Sequence, residues 1–160
     1  MPEDHPRRQV PVRTSPARNT TALLGLAYMN LGHRIVDGVI AAGFPQRAAH
    51  SAVLAHIDIE GGTRLTTIAA RANITPQAVG ELVDDLERLG YVVRLPDPDD
   101  RRAKRIVLTE RGEACVAAAL STIATLETEL EDLLGSTALA LLHDMLGRIS
   151  TAGGRPGDSH

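Results

Sequence analysis

The stretch Thr75-Pro76-Gln77-Ala78-Val79-Gly80-Glu81-Leu82-Val83-Asp84-Asp85-Leu86-Glu87-Arg88-Leu89-Gly90-Tyr91-Val92-Val93-Arg94-Leu95 changes its period partway along. Up to Leu89 the apolar residues Val79, Leu82, Val83, Leu86 and Leu89 recur at helical spacing and form one stripe. Thr75 offers an N-cap hydroxyl, Pro76 suits the first helical position, and Gly90 suits the residue just past the end. From Tyr91 to Leu95 the pattern is that of a strand, and Arg105–Leu108 reads the same way. Between the two, Pro96–Lys104 is rich in Pro and Asp and reads as a loop. Upstream, Thr66 is expected to cap a short helix that runs to Ala72 and closes at Asn73. Two helices joined by Asn73-Ile74-Thr75 match a helix-turn-helix, and a hairpin directly behind it makes a winged helix.

Working outward, Leu24, Tyr28, Leu31, Ile35 and Val39 mark a helix from Thr21 to about Ala42. Gly43 can close it and Pro45 can open a second helix, read as Gln46 to about Ile57. Gly61-Gly62 is a turn. Thr109 can cap a long helix from Glu110 to about Leu134, in which Val116, Ala119, Ile123, Leu126, Leu130 and Leu133 follow a 3.5-residue period. That period fits a seam between two chains, and it also fits a helix packed within its own bundle. Gly135-Ser136 breaks the helix, and Leu142, Met145, Leu146 and Ile149 share a face of the next one. The fold class is therefore mainly α with a small β wing.

The composition agrees. Ala and Leu supply 42 of the 69 apolar residues, and the aromatics are three: Tyr28, Phe44 and Tyr91. Such a chain favours helices over a β-sandwich or barrel, and lacks the aromatic platforms on which single-stranded nucleic acid stacks. The single Cys115 excludes an internal disulfide and fits a reducing, cytoplasmic setting. No apolar run approaches the roughly 18 residues of a membrane span. Residues 1–19 hold four arginines and four prolines without an apolar core, and read as a disordered basic tail rather than a signal peptide. The net charge of -3 hides a separation: residues 1–19 and 61–112 are net positive, and residues 113–160 carry -5. Arg101, Arg102, Lys104 and Arg105 place four cations in five residues at the far side of the loop, and phosphate binding follows the local field rather than the total.

Ile74-Thr75-Pro76-Gln77-Ala78-Val79, Leu86-Glu87-Arg88-Leu89-Gly90-Tyr91-Val92, Asp97-Pro98-Asp99-Asp100-Arg101-Arg102-Ala103-Lys104 and Leu108-Thr109-Glu110-Arg111-Gly112 together resemble the core of the MarR (multiple-antibiotic-resistance regulator) family of winged-helix transcription regulators. With the flanking helices the resemblance covers about residues 20–150. It implies a DNA-binding core at about 46–112, dimerisation helices at about 20–43 and 110–150, and a flexible end at 151–160. It also implies a homodimer, a palindromic double-stranded DNA operator, and often a small effector bound between the DNA-binding and dimerisation parts. The chain is expected to be a repressor, with no cofactor, metal or membrane.

Residue by residue, Gln77 can pair with adenine and Glu81 can accept from cytosine N4, while Thr75 and the first turn begun by Pro76 suit a phosphate. Gly80 is either a point of close approach to a groove wall or a tolerated surface glycine. Asp84 and Asp85 are expected to pair with Arg88 or face away. The resemblance makes Arg102 the residue that enters the minor groove, held by Asp100, with Arg101 and Lys104 on phosphates. The helical seam, with Leu142 and Leu146, is expected at the dimer interface. Tyr28, His33, Arg34 and His50, with His56, are candidates for a pocket taking a small aromatic or carboxylate effector. His33, His50 and His56 lack the spacing and cysteine partner of a zinc site, and Cys115 reads as a buried structural thiol. The acids Glu81, Asp84 and Asp85 support a second reading, a winged-helix protein-interaction module with weak DNA binding. No nucleophile elbow, phosphate loop or metal-ligand spacing supports an enzyme.

Overall fold

The computed structural model describes residues 19–100 and 102–152; residues 1–18 of the expected tail, Arg101 and residues 153–160 lie outside the described residues. The order of elements is α1 (Thr20–Ala41), α2 (Ala48–Leu54), β1 (Thr63–Arg64), α3 (Leu65–Ala72), α4 (Pro76–Arg88), β2 (Val92–Pro96), β3 (Lys104–Leu108), α5 (Glu110–Leu134) and α6 (Ser136–Ala152). Asn19, at the end of the expected tail, caps α1 by accepting from the Thr21 N–H at 2.9 Å. Thr75 and Thr109 cap α4 and α5 as their sequence positions require.

Two helix starts differ from the sequence reading. The second helix is shorter, because Pro45 and Gln46 stay outside it and Arg47, in extended backbone, is its N-cap. Its backbone N–H donates to His50 Nδ1 at 3.2 Å, which fixes the first turn. The third helix begins one residue before Thr66, with Arg64 as its N-cap. Arg64 is held in extended backbone by the two-residue strand β1, which the sequence does not announce.

The sheet is antiparallel in the order β1-β3-β2, with Val92 opposite Leu108 and Pro96 opposite Lys104. Its inner face and the stripe of α4 close one core: Val53, Ile68, Val79, Val83, Leu86, Val92 and Ile106 are fully or almost fully buried. Each such side chain contributes about 1.5–3 kcal/mol of burial energy. Leu82 and Leu89 complete the stripe at its partly buried edge.

The junction of α4, β2 and α5 turns on Tyr91. Its ring is buried, its hydroxyl donates to the Pro45 carbonyl at 2.9 Å, and its own carbonyl accepts from Thr109 N–H at 3.0 Å. Gly112 in α5 lies against that carbonyl so closely that a Cβ would collide with it. Arg111 covers both the Tyr91 and Phe44 rings, 5.3 and 5.7 Å from their centroids. Farther along, Gly38 of α1 meets Thr122 of α5, where an added Cβ would sit 2.6 Å from the threonine side chain.

Candidate nucleic-acid interface

The turn of the helix-turn-helix follows from one residue. Asn73 takes φ 54° and ψ 42°, a left-handed conformation asparagine tolerates, and Ile74 N–H then donates back to the Ala69 carbonyl at 3.1 Å. This folds Ile74 against the core and points α4 outward from Thr75. The Thr75 hydroxyl accepts from Ala78 N–H at 3.2 Å, and Pro76 has no N–H. Of the first three helical residues only Gln77 therefore keeps a backbone donor for a phosphate.

Gln77, Glu81, Asp84 and Arg88 are exposed on the face opposite Val79, Val83 and Leu86. Gly80 sits beside them in open space, with nothing within 4 Å of an added Cβ. The chain's own packing does not call for a glycine there, although it costs the helix about 1 kcal/mol relative to alanine.

The acids of this helix are mostly internally neutralised. Asp85 is paired with Arg88, as expected, and also with Arg47 from the N-terminus of α2. Asp84 pairs instead with Arg94 of β2, at 2.5 Å, and Arg94 also holds Glu87. His50 lies under this network, its ring buried and its Nε2 3.7 Å from Asp85; burial lowers its pKa.

The wing is rooted on Asp97, whose part the loop composition did not reveal. Its carboxylate is fully buried and accepts from Arg64 Nε at 2.6 Å, Arg105 Nε at 3.0 Å and the Asp99 N–H at 2.9 Å. The two guanidiniums hold its carboxyl well below the usual carboxylate range. Arg105, counted above in the basic cluster, is thus turned inward and also pairs with Asp99. Asp100 holds Arg102 in a different way from the expectation: its Oδ1 accepts from the Arg102 backbone N–H at 3.0 Å, shaping the turn and leaving the guanidinium outside. Among the described residues Arg102 and Lys104 are exposed and enter no ion pair, while Arg101 lies outside them.

A cavity of about 450 Å³ opens between α1, α2 and α5. Tyr28, His56 and Cys115 line it, with Ile35, Arg71 and a wall of alanines. His33, Arg34 and His50 do not. Tyr28 and Ile35 are two turns apart and share the facing side of α1, whereas His33 and Arg34 turn away, and Arg34 pairs with Glu129 at 2.5 Å. His50 likewise points from the opposite side of α2 toward α4. Cys115 is buried, and burial pushes its thiol pKa up.

The long-helix seam divides. Val116 and Ala119 pack on the chain's own core and, with Ile123, wall the cavity. Leu126 is buried within the chain, Leu130, Leu142 and Leu146 are half-buried, and Leu133 is 76% exposed. Among the described residues no helix is long and apolar enough to cross a membrane, and no group of three or more His, Cys, Asp or Glu is placed to hold a metal ion.

The MarR family model matches residues 43–103, which hold the helix-turn-helix and most of the wing. The structure of a transcriptional repressor, CouR, bound to a 23-mer DNA duplex is similar at 30% identity and a TM-score of 0.71, covering 84% of this chain and 94% of that one. The chain belongs to the MarR family. An uncharacterized HTH-type transcriptional regulator of Bacillus subtilis (strain 168), YhbI, is 30% identical over 90 residues, 56% of this chain; the match spans 58% of that protein's length. CouR from Rhodococcus jostii RHA1 bound to p-coumaroyl-CoA shares the fold at 24% identity and a TM-score of 0.70, covering 92% of this chain and 99% of that one. Against this MarR-family background, the ion pairs of Arg94, Arg47 and Asp97 are the features that periodicity misses, because charges leave no apolar period.

The Asp97 clamp carries a pH signature. A carboxyl whose pKa is lowered on folding stabilises the native state above the unfolded value, near 4, and loses that contribution as pH falls below it. Wild type is expected to melt higher than Asp97→Asn near neutral pH, with the gap narrowing below about pH 4. Equal melting temperatures at neutral pH would contradict the clamp.

Proposed function

We propose that the chain is a sequence-specific DNA-binding transcriptional repressor that acts as a homodimer on a palindromic operator and is released by a small effector. The observation that carries this reading is the pairing of an outward-facing α4, with Gln77 and Glu81 exposed, and a wing that offers Arg102 and Lys104, whose side chains enter no ion pair among the described residues. Thr75, Pro76 and Gly80 set the approach of α4 to the major groove, and Arg102 enters the minor groove, where arginine suits the negative potential of a narrow A·T stretch. Arg101 and Lys104 take phosphates, and Asp100 fixes the turn that presents them. The CouR repressor bound to duplex DNA supports the assignment at 30% identity. The acids of α4 give the interaction-module reading less support than they do in the bare sequence, since three of the four are held in ion pairs.

A dimer is supported by the apolar side chains left exposed at the far end: Leu23, Leu26 and Met29 on α1, Leu133 on α5, and Leu141, Met145 and Ile149 on α6. A two-fold partner also supplies the second half-site, one helical turn away. The cavity is of a size that suits a small ligand, and its apolar walls with His56 suit an aromatic or carboxylate compound; Arg71, which also lines it, is paired with Asp58 at 3.0 Å. The p-coumaroyl-CoA held by CouR from Rhodococcus jostii RHA1 is a suitable first probe.

Arg102→Ala is expected to abolish binding to upstream promoter DNA in a gel-shift titration while the melting temperature and dimer mass stay unchanged; unaltered affinity would remove the wing from the interface. Leu133→Glu should sediment as a monomer at concentrations where wild type is dimeric, and an intact dimer would refute the far-end interface. For the cavity, Ala119→Phe should still bind DNA but resist release by p-coumaroyl-CoA or aromatic carboxylates that release wild type. Release at unchanged concentrations would place the effector elsewhere.

A further inference from the structure

The helix α4 carries four carboxylates, and the structure treats one of them differently. Arg94 neutralises Asp84 and Glu87, and Arg47 with Arg88 neutralises Asp85. Glu81 has no cation within ion-pair reach among the described residues; its side-chain partner is Gln77, whose amide Nε2 donates to Glu81 Oε1 at 3.4 Å. Both residues are exposed and lie one turn apart on the outer face, opposite Val79, Val83 and Leu86. An uncompensated carboxylate on a surface that meets a polyanion lowers affinity wherever it faces phosphate. It contributes favourably where it meets a base edge with a hydrogen-bond donor. Gly80, next to Glu81, leaves space for that approach, since an added Cβ would meet nothing within 4 Å.

We propose that Glu81, positioned by Gln77, determines base preference by selecting cytosine in the major groove of each half-site. The inference rests on the DNA-binding reading above. The chemistry singles out cytosine. A carboxylate accepts hydrogen bonds and donates none, so the O6 and N7 acceptors of guanine and the O4 acceptor of thymine repel it. Adenine N6 is flanked on the groove edge by two acceptors, its own N7 and the O4 of the paired thymine, whereas cytosine N4 has an acceptor, the O6 of the paired guanine, on one side only. One amide hydrogen of Gln77 is directed to Glu81 and steadies the carboxylate on the outer face. Glu81 thus presents an acceptor on the outer face of α4, while the cations of the wing supply the attraction to the backbone.

The test is selection from a random double-stranded DNA pool by the full-length protein, followed by binding to single-base variants of the winning site. Wild type should enrich a site with cytosine at one position of each half-site, and replacing that cytosine should weaken binding about tenfold. Glu81→Ala should lose that discrimination while binding unrelated DNA more tightly, because a negative charge has gone. Glu81→Gln should move the preference toward adenine. Circular dichroism and melting temperature check that both variants fold, as expected for an exposed side chain that enters no ion pair among the described residues. If wild type selects a site and Glu81→Ala reads every position as wild type does, the inference is wrong and the DNA-binding reading stands. Enrichment of a site whose Glu81-dependent position is an A·T pair also overturns it. If wild type enriches no sequence at all, the DNA-binding reading fails and this inference fails with it.

Discussion

Tyr91 is the point on which the rest of this molecule is hung. It follows the turn that closes the helix-turn-helix, and its buried ring, hydroxyl and carbonyl each engage a different part of the chain. The hydroxyl reaches the link between α1 and α2, and the carbonyl reaches the start of α5. Gly112 lets α5 approach that carbonyl, and Arg111 closes over the ring. A buried phenol without its acceptor would cost about 1–3 kcal/mol, so the Pro45 carbonyl is as much a part of the arrangement as the ring. Through this residue the long helices and the outward-facing α4 share one rigid frame, and a change in the cavity between α1, α2 and α5 lies one layer from the helix that would read a groove.

Charge organisation follows a second rule, in which arginines are divided between internal and external work. Arg64, Arg94 and Arg105 are committed to carboxylates of the wing root and of α4. Arg102 and Lys104 stay at the surface of the loop. The negative net charge therefore says little about the character of any one face. The acids that looked out of place on α4 serve mostly as anchors for α2 and β2, which leaves a small and specific residue of negative charge at Glu81.

Much of this was legible beforehand. The stripe of α4, the caps at Thr75 and Thr109, the left-handed Asn73 and the exact start of α5 all follow from local preferences that the fold respects. Other parts were not. The two residues of β1 are too short to show a period, and they shift the start of α3 to Leu65. His50 and Arg34 lie on elements read correctly but on the wrong sides of them, because a polar residue gives no signal of the direction it faces until its partners, Asp85 and Glu129, are known. The 3.5-residue seam of α5 was ambiguous for a physical reason: its first half is consumed by the chain's own core and cavity, and only toward Leu133 does it become surface.

The strand order β1-β3-β2 places β2 at an open margin of the sheet, with Val93 and Leu95 exposed. An unpaired margin of this kind invites another strand to add to it, and sheets with such margins are prone to stack edge to edge. Here the strand is five residues long, carries a charged Arg94 tied sideways to α4, and ends at Pro96, which offers no N–H to an incoming partner. The same proline and arginine that shape the wing thus also make its outer margin a poor template for a second sheet.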